Sequence, residues 1–253
     1  MNYTPKTYNS HLTFDYYLSK SNEYINALNK SEQLLLKEKL EHGAGDLKSE
    51  AELMMYLHSY GEIHRDKLLH AYRHLPLSIW DETRISFIDY GCGQGIAEMV
   101  LSDYLSDKYK DNDFIKDFTL IEPSKFNLNR CTSIVSNFYR DAKVKSLPIT
   151  DKQINSYDIS PECKSAIHIL SNVIDLPNFE GKKIANILNS DDEHYNVIIC
   201  VSPFYQENGR GKRMEEFGSI LTRYTQNYKF EKHKDDWDKD YSCQIHIYSN
   251  LKI

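Results

Sequence analysis

No two of the five cysteines, Cys92, Cys131, Cys163, Cys200 and Cys243, stand in a C-x-x-C pair. Their wide separation signals neither a zinc cluster nor a disulfide framework, and a metal site is not expected. Unpaired thiols suit a reducing cytoplasm, and Cys92 and Cys200 fall at or beside strand ends, where a small semi-polar side chain packs well. Also missing is any apolar run long enough to cross a membrane, and Met1-Asn2-Tyr3-Thr4-Pro5-Lys6 leads into polar residues instead of a signal core. A cytoplasmic protein with no membrane partner is expected. Basic residues are in deficit, 31 against 37 acidic, for a formal net charge of -6. No global positive field draws in nucleic acid, so such a partner is not favoured and would need a local basic patch. The phosphate-cradling G-x-x-x-x-G-K-[ST] loop is absent as well.

What is present centres on Ile85-Ser86-Phe87-Ile88-Asp89-Tyr90-Gly91-Cys92-Gly93-Gln94-Gly95. A short β-preferring run gives way to three glycines at alternate positions. Ile96, Val100, Leu101, Tyr104 and Leu105 then recur at helical spacing, so the segment reads as strand, glycine loop, helix. Glycines there let the backbone turn sharply and let a ligand approach the main chain, while the following helix offers unpaired N–H groups.

A dinucleotide fingerprint, G-x-G-x-x-G, would need glycine at position 96, which is Ile. Downstream, Asp117-Phe118-Thr119-Leu120-Ile121 reads as a second buried strand ending in Glu122-Pro123-Ser124. An acid at that strand end accepts hydrogen bonds from both ribose hydroxyls of a ligand on the glycine loop, and repels a 2′-phosphate. The plainer role for Glu122 is an exposed residue preceding a helix capped by Ser124, and the two roles are compatible.

The spacing Asp89-x-Gly91-x-Gly93-x-Gly95, with Glu122 beyond it, resembles the first motifs of the class I S-adenosylmethionine (SAM) dependent methyltransferases. The resemblance covers about residues 81 to 253, with its sharp motifs between 85 and 124. It implies an α/β fold, a doubly wound, mostly parallel seven-stranded sheet, in a Rossmann-like SAM-binding domain over 81–253. It also implies SAM as cofactor, held by Asp89, Tyr90, Gly91, Cys92, Gly93, Gly95, Glu122, Pro123, Leu147 and Ser171, with Leu147 or a following side chain against the adenine. Asp89 would fix either the glycine loop or the methionine amino group, or would stabilise the loop without touching ligand.

Residues 1–80 read as a helical N-terminal extension. Leu34, Leu35, Leu36 and Leu40, then Leu53, Tyr56, Leu57 and Tyr60, have helical spacing; Ser49-x-x-Glu52 has the form of a capping box; Gly43-Ala44-Gly45 separates two helices; and Gly61 interrupts or bends the second before Pro76 stops it. The extension either shapes the pocket, as in the family, or covers a sheet face. His58, His64, His70 and His74 do not share one helix face, so they are not expected to form a metal cluster.

Further strands are expected near 144–147, 165–170 and 195–201, with an antiparallel pair closing the chain. Asn172 and Asp175 follow the fourth strand and are candidate substrate-facing groups; His168 inside it reads as a hydrogen-bonded core histidine. Ser202-Pro203-Phe204-Tyr205 partly resembles the [DNS]-P-P-[FYW] loop of amino-group methyltransferases, but Phe204 replaces the second proline and the loop follows the fifth strand. Tyr205 is a candidate stacking residue, beside the simpler reading of a turn. Gly209-Arg210-Gly211-Lys212-Arg213 is a basic cluster, read as a solvated loop before a helix. The expected activity is methyl transfer to an unidentified acceptor; a methyltransferase-like SAM-binding regulatory module without transfer is the alternative.

Overall fold

The computed structural model describes residues 12–41, 45, 47–109, 113–204 and 210–250. Strands β1 (Ile85–Tyr90), β2 (Ile115–Ile121), β3 (Lys143–Leu147), β4 (Ser165–Ser171), β5 (Tyr195–Ser202), β6 (Thr225–Lys232) and β7 (Cys243–Ser249) form one sheet in the order β3-β2-β1-β4-β5-β7-β6. Pairing is parallel from β3 through β5, whereas β7 runs antiparallel to both β5 and β6. This is the doubly wound sheet and closing antiparallel pair expected from the pattern.

Strand position follows composition. Every residue of β1 is buried, as are all but the end residue of β4 and of β5, which matches their near-continuous apolar runs. Alternate residues feed opposite faces. Phe87, Ile169 and Ile199 join the core beneath α4 (Ile96–Tyr109) and α5 (Lys125–Phe138), while Ile88, Leu170 and Ile198 join the core beneath α6 (Gly181–Ser190) and α7 (Arg210–Ile220). The outer strands β3 and β6 carry Lys143, Lys145, Lys229 and Lys232, charges that discourage further strand pairing.

Three helices precede the sheet: α1 (Phe14–Asn26), α2 (Lys30–Lys39) and α3 (Glu50–Arg73). Helix α1 was not evident from the sequence pattern. Thr13 caps it, and Phe14, Tyr17, Leu18, Ser21 and Ile25 form its buried stripe. Phe14, Leu18, Leu57 and Leu68 belong to the same apolar core as Phe87 and Val100, so α1 and α3 are built onto the sheet's α4 side.

Three local expectations change. Gly61 does not interrupt α3, which runs unbroken past it; a Cβ there would lie 2.9 Å from Leu57, 3.2 Å from Leu18 and 3.3 Å from Phe14. Glycine is used there for close approach of α1. Leu34 and Leu35 are 61% and 60% exposed, and only Leu36 and Leu40 of that run turn inward. The Ser49 cap forms, its hydroxyl accepting from Glu52 N–H at 3.3 Å, but the Glu52 carboxylate reaches Lys48 N–H instead of closing the box. Gly43 and Ala44 lie outside the described residues.

Candidate functional site

The strand order reverses between β1 and β4, and in such sheets ligands bind outside the carboxyl ends of the strands at that point. A cavity of about 630 Å³ lies there. Its floor is the glycine loop and the ends of β2 and β4, and its roof is α3, which contributes Tyr56, His64 and Leu68. Of the residues expected to hold a cofactor, Asp89, Tyr90, Gly91, Cys92, Gly93, Glu122, Pro123 and Ser171 line it together, with Asn172 beside them.

The three loop glycines do different work. All have positive φ, 75° at Gly91, 52° at Gly93 and 88° at Gly95. A Cβ on Gly91 would sit 2.6 Å from Val173, so the loops after β1 and β4 close on each other there. At Gly93 a Cβ would meet no protein atom within 4 Å, which leaves bare backbone facing the cavity. Gly95 does not line the cavity; a Cβ there would lie 3.3 Å from Cys131, so its absence lets α4 pack closely on α5.

Glu122 joins two elements. Its Oε2 accepts from Gly93 N–H at 3.2 Å and its Oε1 from Ser124 N–H at 2.9 Å. Ser124 meanwhile caps α5, as the plainer sequence reading of this stretch expects.

Asp89 is 2% exposed at the cavity floor, and Glu98, fully buried on the first turn of α4, lies behind it. No described residue gives an ordinary hydrogen bond to Asp89 Oδ1 or to either oxygen of Glu98. Burial, then the neighbouring Glu98 carboxyl, raises Asp89 well above the usual carboxylate range; burial raises Glu98 to about 7. Two adjacent buried carboxyls cannot both ionise cheaply, so at least one proton is held between them at neutral pH.

Several expected residues lie elsewhere. Leu147 is not at the cavity wall; its carbonyl accepts from Glu122 N–H at 3.1 Å, and the wall beyond β3 is Ile149, Thr150, Asp151 and Ile154. Asp175 is 7% exposed and off the cavity, with Oδ1 accepting from the Ser202 hydroxyl at 3.0 Å and its carbonyl from Arg213. Ser202 is therefore a buried anchor at the end of β5, and Tyr205 lies outside the described residues, as does Gly209. His168 is a core histidine, between Tyr90 OH at 3.0 Å and Asn196 Oδ1 at 3.1 Å, and burial lowers it to about 4.

Tyr56, His64, Gln94, Asn127 and Asp151 were not singled out for this site from the sequence, yet all line it. Only Gln94, inside the motif, carried a local signal. Tyr56 and His64 read as part of a helix face, because nothing in their spacing says which strand ends that helix will cross.

Among the described residues the lining includes three acids, Asp89, Glu122 and Asp151, and neither a lysine nor an arginine. His64 adds no charge, since burial and then Lys67 lower it to about 3. Such a cavity opposes phosphates and favours a cationic ligand with hydroxyl or amino donors.

No protein-family model matches the sequence, and no curated protein matches it. Among solved structures, magnesium protoporphyrin IX methyltransferase from Synechocystis PCC 6803, determined with bound SAM, aligns over 96% of this chain and 100% of its own with a TM-score of 0.51 at 10% identity. A SAM-dependent methyltransferase from Leishmania major aligns over 92% and 82% with a TM-score of 0.47 at 11% identity. The plantazolicin methyltransferase BpumL, determined with S-adenosylhomocysteine (SAH), aligns over 92% and 100% with a TM-score of 0.47 at 12% identity. At such identities the likeness to the Synechocystis enzyme speaks for architecture, and with the strand order described above it gives this chain the class I methyltransferase fold.

Proposed function

We propose that the protein is a SAM-dependent methyltransferase whose cofactor occupies the cavity beneath α3. The observation that carries this reading is the lining itself: three acidic side chains and, among the described residues, neither lysine nor arginine around a glycine loop tied to Glu122. Dinucleotides and nucleoside triphosphates bring phosphates that such a wall repels, whereas SAM brings a sulfonium, an ammonium, two ribose hydroxyls and an adenine amine.

In this reading the ribose hydroxyls donate to Glu122, the adenine lies against Ile149 and Ile154 with its amine toward Asp151, and the methionine ammonium meets Asp89 across Gly93. SAM supplies the methyl as an electrophile. The acceptor's lone pair forms the new bond as the carbon–sulfur bond breaks, and that pair stays on sulfur as a neutral thioether. The protein's part is alignment of the acceptor with the methyl at about 3 Å and exclusion of water. Residues 1–80 act as the extension that roofs the site and 81–253 as the cofactor domain. A cytoplasmic location accords with five unpaired buried thiols.

Calorimetric titration tests the reading. SAM and SAH should bind while ATP and NADPH do not, and a chain that binds neither SAM nor SAH removes it. Labelled SAM incubated with extract fractions then separates transfer from mere binding, because a regulatory module would retain SAM and label nothing.

A further inference from the structure

His64 reaches the cavity from α3 and meets the residue that leaves β4. Its Nδ1 lies 3.1 Å from Asn172 Nδ2. Asn172 holds left-handed backbone, φ 57°, and its amide nitrogen also donates to Ser171 Oγ at 2.9 Å. With the amide nitrogen facing the ring, Nδ1 is the acceptor and Nε2 carries the hydrogen. Nε2 has no hydrogen bond among the described residues, and His64 lines the cavity.

The position of this N–H along the crevice follows from the strand order. β1 lies between β2 and β4. A ligand with its ribose on Glu122, at the end of β2, extends along the glycine loop and brings its sulfonium half to the end of β4, beneath His64. The ring is held there edge-on to Tyr56, with centroids 5.7 Å apart, and with Tyr60 at 6.3 Å. Lys67, one turn along the same helix, is the nearest cation acting on it.

We propose that His64 faces the methyl to be transferred and orients an oxygen acceptor there through its Nε2–H; this rests on the SAM reading of the cavity. An oxygen nucleophile has one lone pair for that N–H and another for the methyl carbon. An amine has a single lone pair, which the hydrogen bond would occupy. In the transfer the oxygen's free pair forms the bond to carbon, sulfur keeps the carbon–sulfur pair, and the protonated ether so formed gives its proton to solvent as the product leaves. The imidazole stays in one protonation state throughout, and adds no positive charge beside the sulfonium.

Two measurements test this without knowing the natural acceptor. His64→Arg places a permanent cation where the sulfonium of SAM, but not the thioether of SAH, must lie. SAM affinity should fall about 100-fold relative to SAH affinity, and His64→Gln should keep the wild-type ratio. An unchanged ratio in His64→Arg overturns the assignment even if both ligands bind; failure of the wild type to bind SAH overturns the cofactor site instead. Retained SAH affinity in the variant reports that it folds. With SAH bound and histidine nitrogens labelled, phenol should shift the His64 Nε2–H resonance at about tenfold lower concentration than aniline. Equal response to the two probes, or none to phenol, removes the oxygen preference.

Discussion

Glu122 Oε2 accepts the backbone N–H of Gly93 at 3.2 Å, and Gly93 is the one loop glycine whose missing Cβ would meet open space. The carboxylate ending β2 and the bare backbone after β1 thus form one surface. A ligand that fits the first necessarily lies on the second.

Removing that carboxylate tests the surface directly. Each ribose hydroxyl bonded to a charged acceptor is worth about 1.5–3 kcal/mol. With two such bonds, Glu122→Ala should therefore weaken SAH binding by about 100- to 10,000-fold and Glu122→Gln, which keeps a neutral acceptor, by less, read by calorimetry. Loss from Glu122→Ala beyond that range would report the freed Gly93 and Ser124 N–H groups.

The loop glycines should separate stability from binding. Alanine at Gly91 must displace Val173 as well as hold positive φ, whereas alanine at Gly93 meets only the backbone penalty, about 1–2 kcal/mol. We expect a larger drop in melting temperature for Gly91→Ala and a larger loss of SAH affinity, per degree of melting lost, for Gly93→Ala. The reverse order would mean that the cavity does not seat ligand against residue 93.

The sheet was legible because its signals are local. Runs such as Ile85–Tyr90 and Tyr195–Ser202 are apolar enough to demand burial on both faces, and Asp89 through Gly95 with Glu122 form a short motif with one physical purpose. The roof was not legible. Tyr56 and His64 lie on a helix whose periodicity says only that one side is buried, while the strand ends it crosses are set by packing of α1, α3 and α4. Gly61 misled for a related reason: glycine in a helix looks like a break until the neighbour that needs the space is known.

Gly61 provides the corresponding stability test. The space for its absent side chain is filled by Leu57, Leu18 and Phe14. Gly61→Val should destabilise the protein by about 1–3 kcal/mol through overpacking, despite valine's better helix propensity, as a fall in denaturation midpoint. An unchanged or raised midpoint would show that α1 is free to withdraw from α3.

A buried polar chain links the crevice to the far side of the sheet. Asn196 Nδ2 donates to Asp191 at 2.9 Å, which orients its Oδ1 to accept from His168 Nε2, so His168 Nδ1 accepts from Tyr90 OH. Asn196→Leu strands His168 and should cost about 1–3 kcal/mol at neutral pH. His168 is lowered to about 4, below its unfolded value of 6.5, so the unfolded chain binds the extra proton and the His168 contribution to stability should rise with pH between these values. His168→Phe should flatten that rise in a pH series of melting curves.

The Asp89–Glu98 pair predicts the opposite slope and couples it to ligand. Glu98 is raised to about 7 from 4.5, so across that interval the folded chain holds a proton that the unfolded chain has released. The Glu98 contribution to stability should then fall as pH rises from 4.5 to 7, with Glu98→Gln removing that contribution and gaining up to about 3 kcal/mol at alkaline pH. A ligand ammonium at Asp89 favours the ionised pair, so binding should expel a proton and SAM affinity should strengthen with pH over the same interval. Calorimetry in two buffers of different ionisation enthalpy counts that proton. A count of zero in the wild type, or one that persists in Glu98→Gln, would mean that the ligand's positive end does not rest on Asp89.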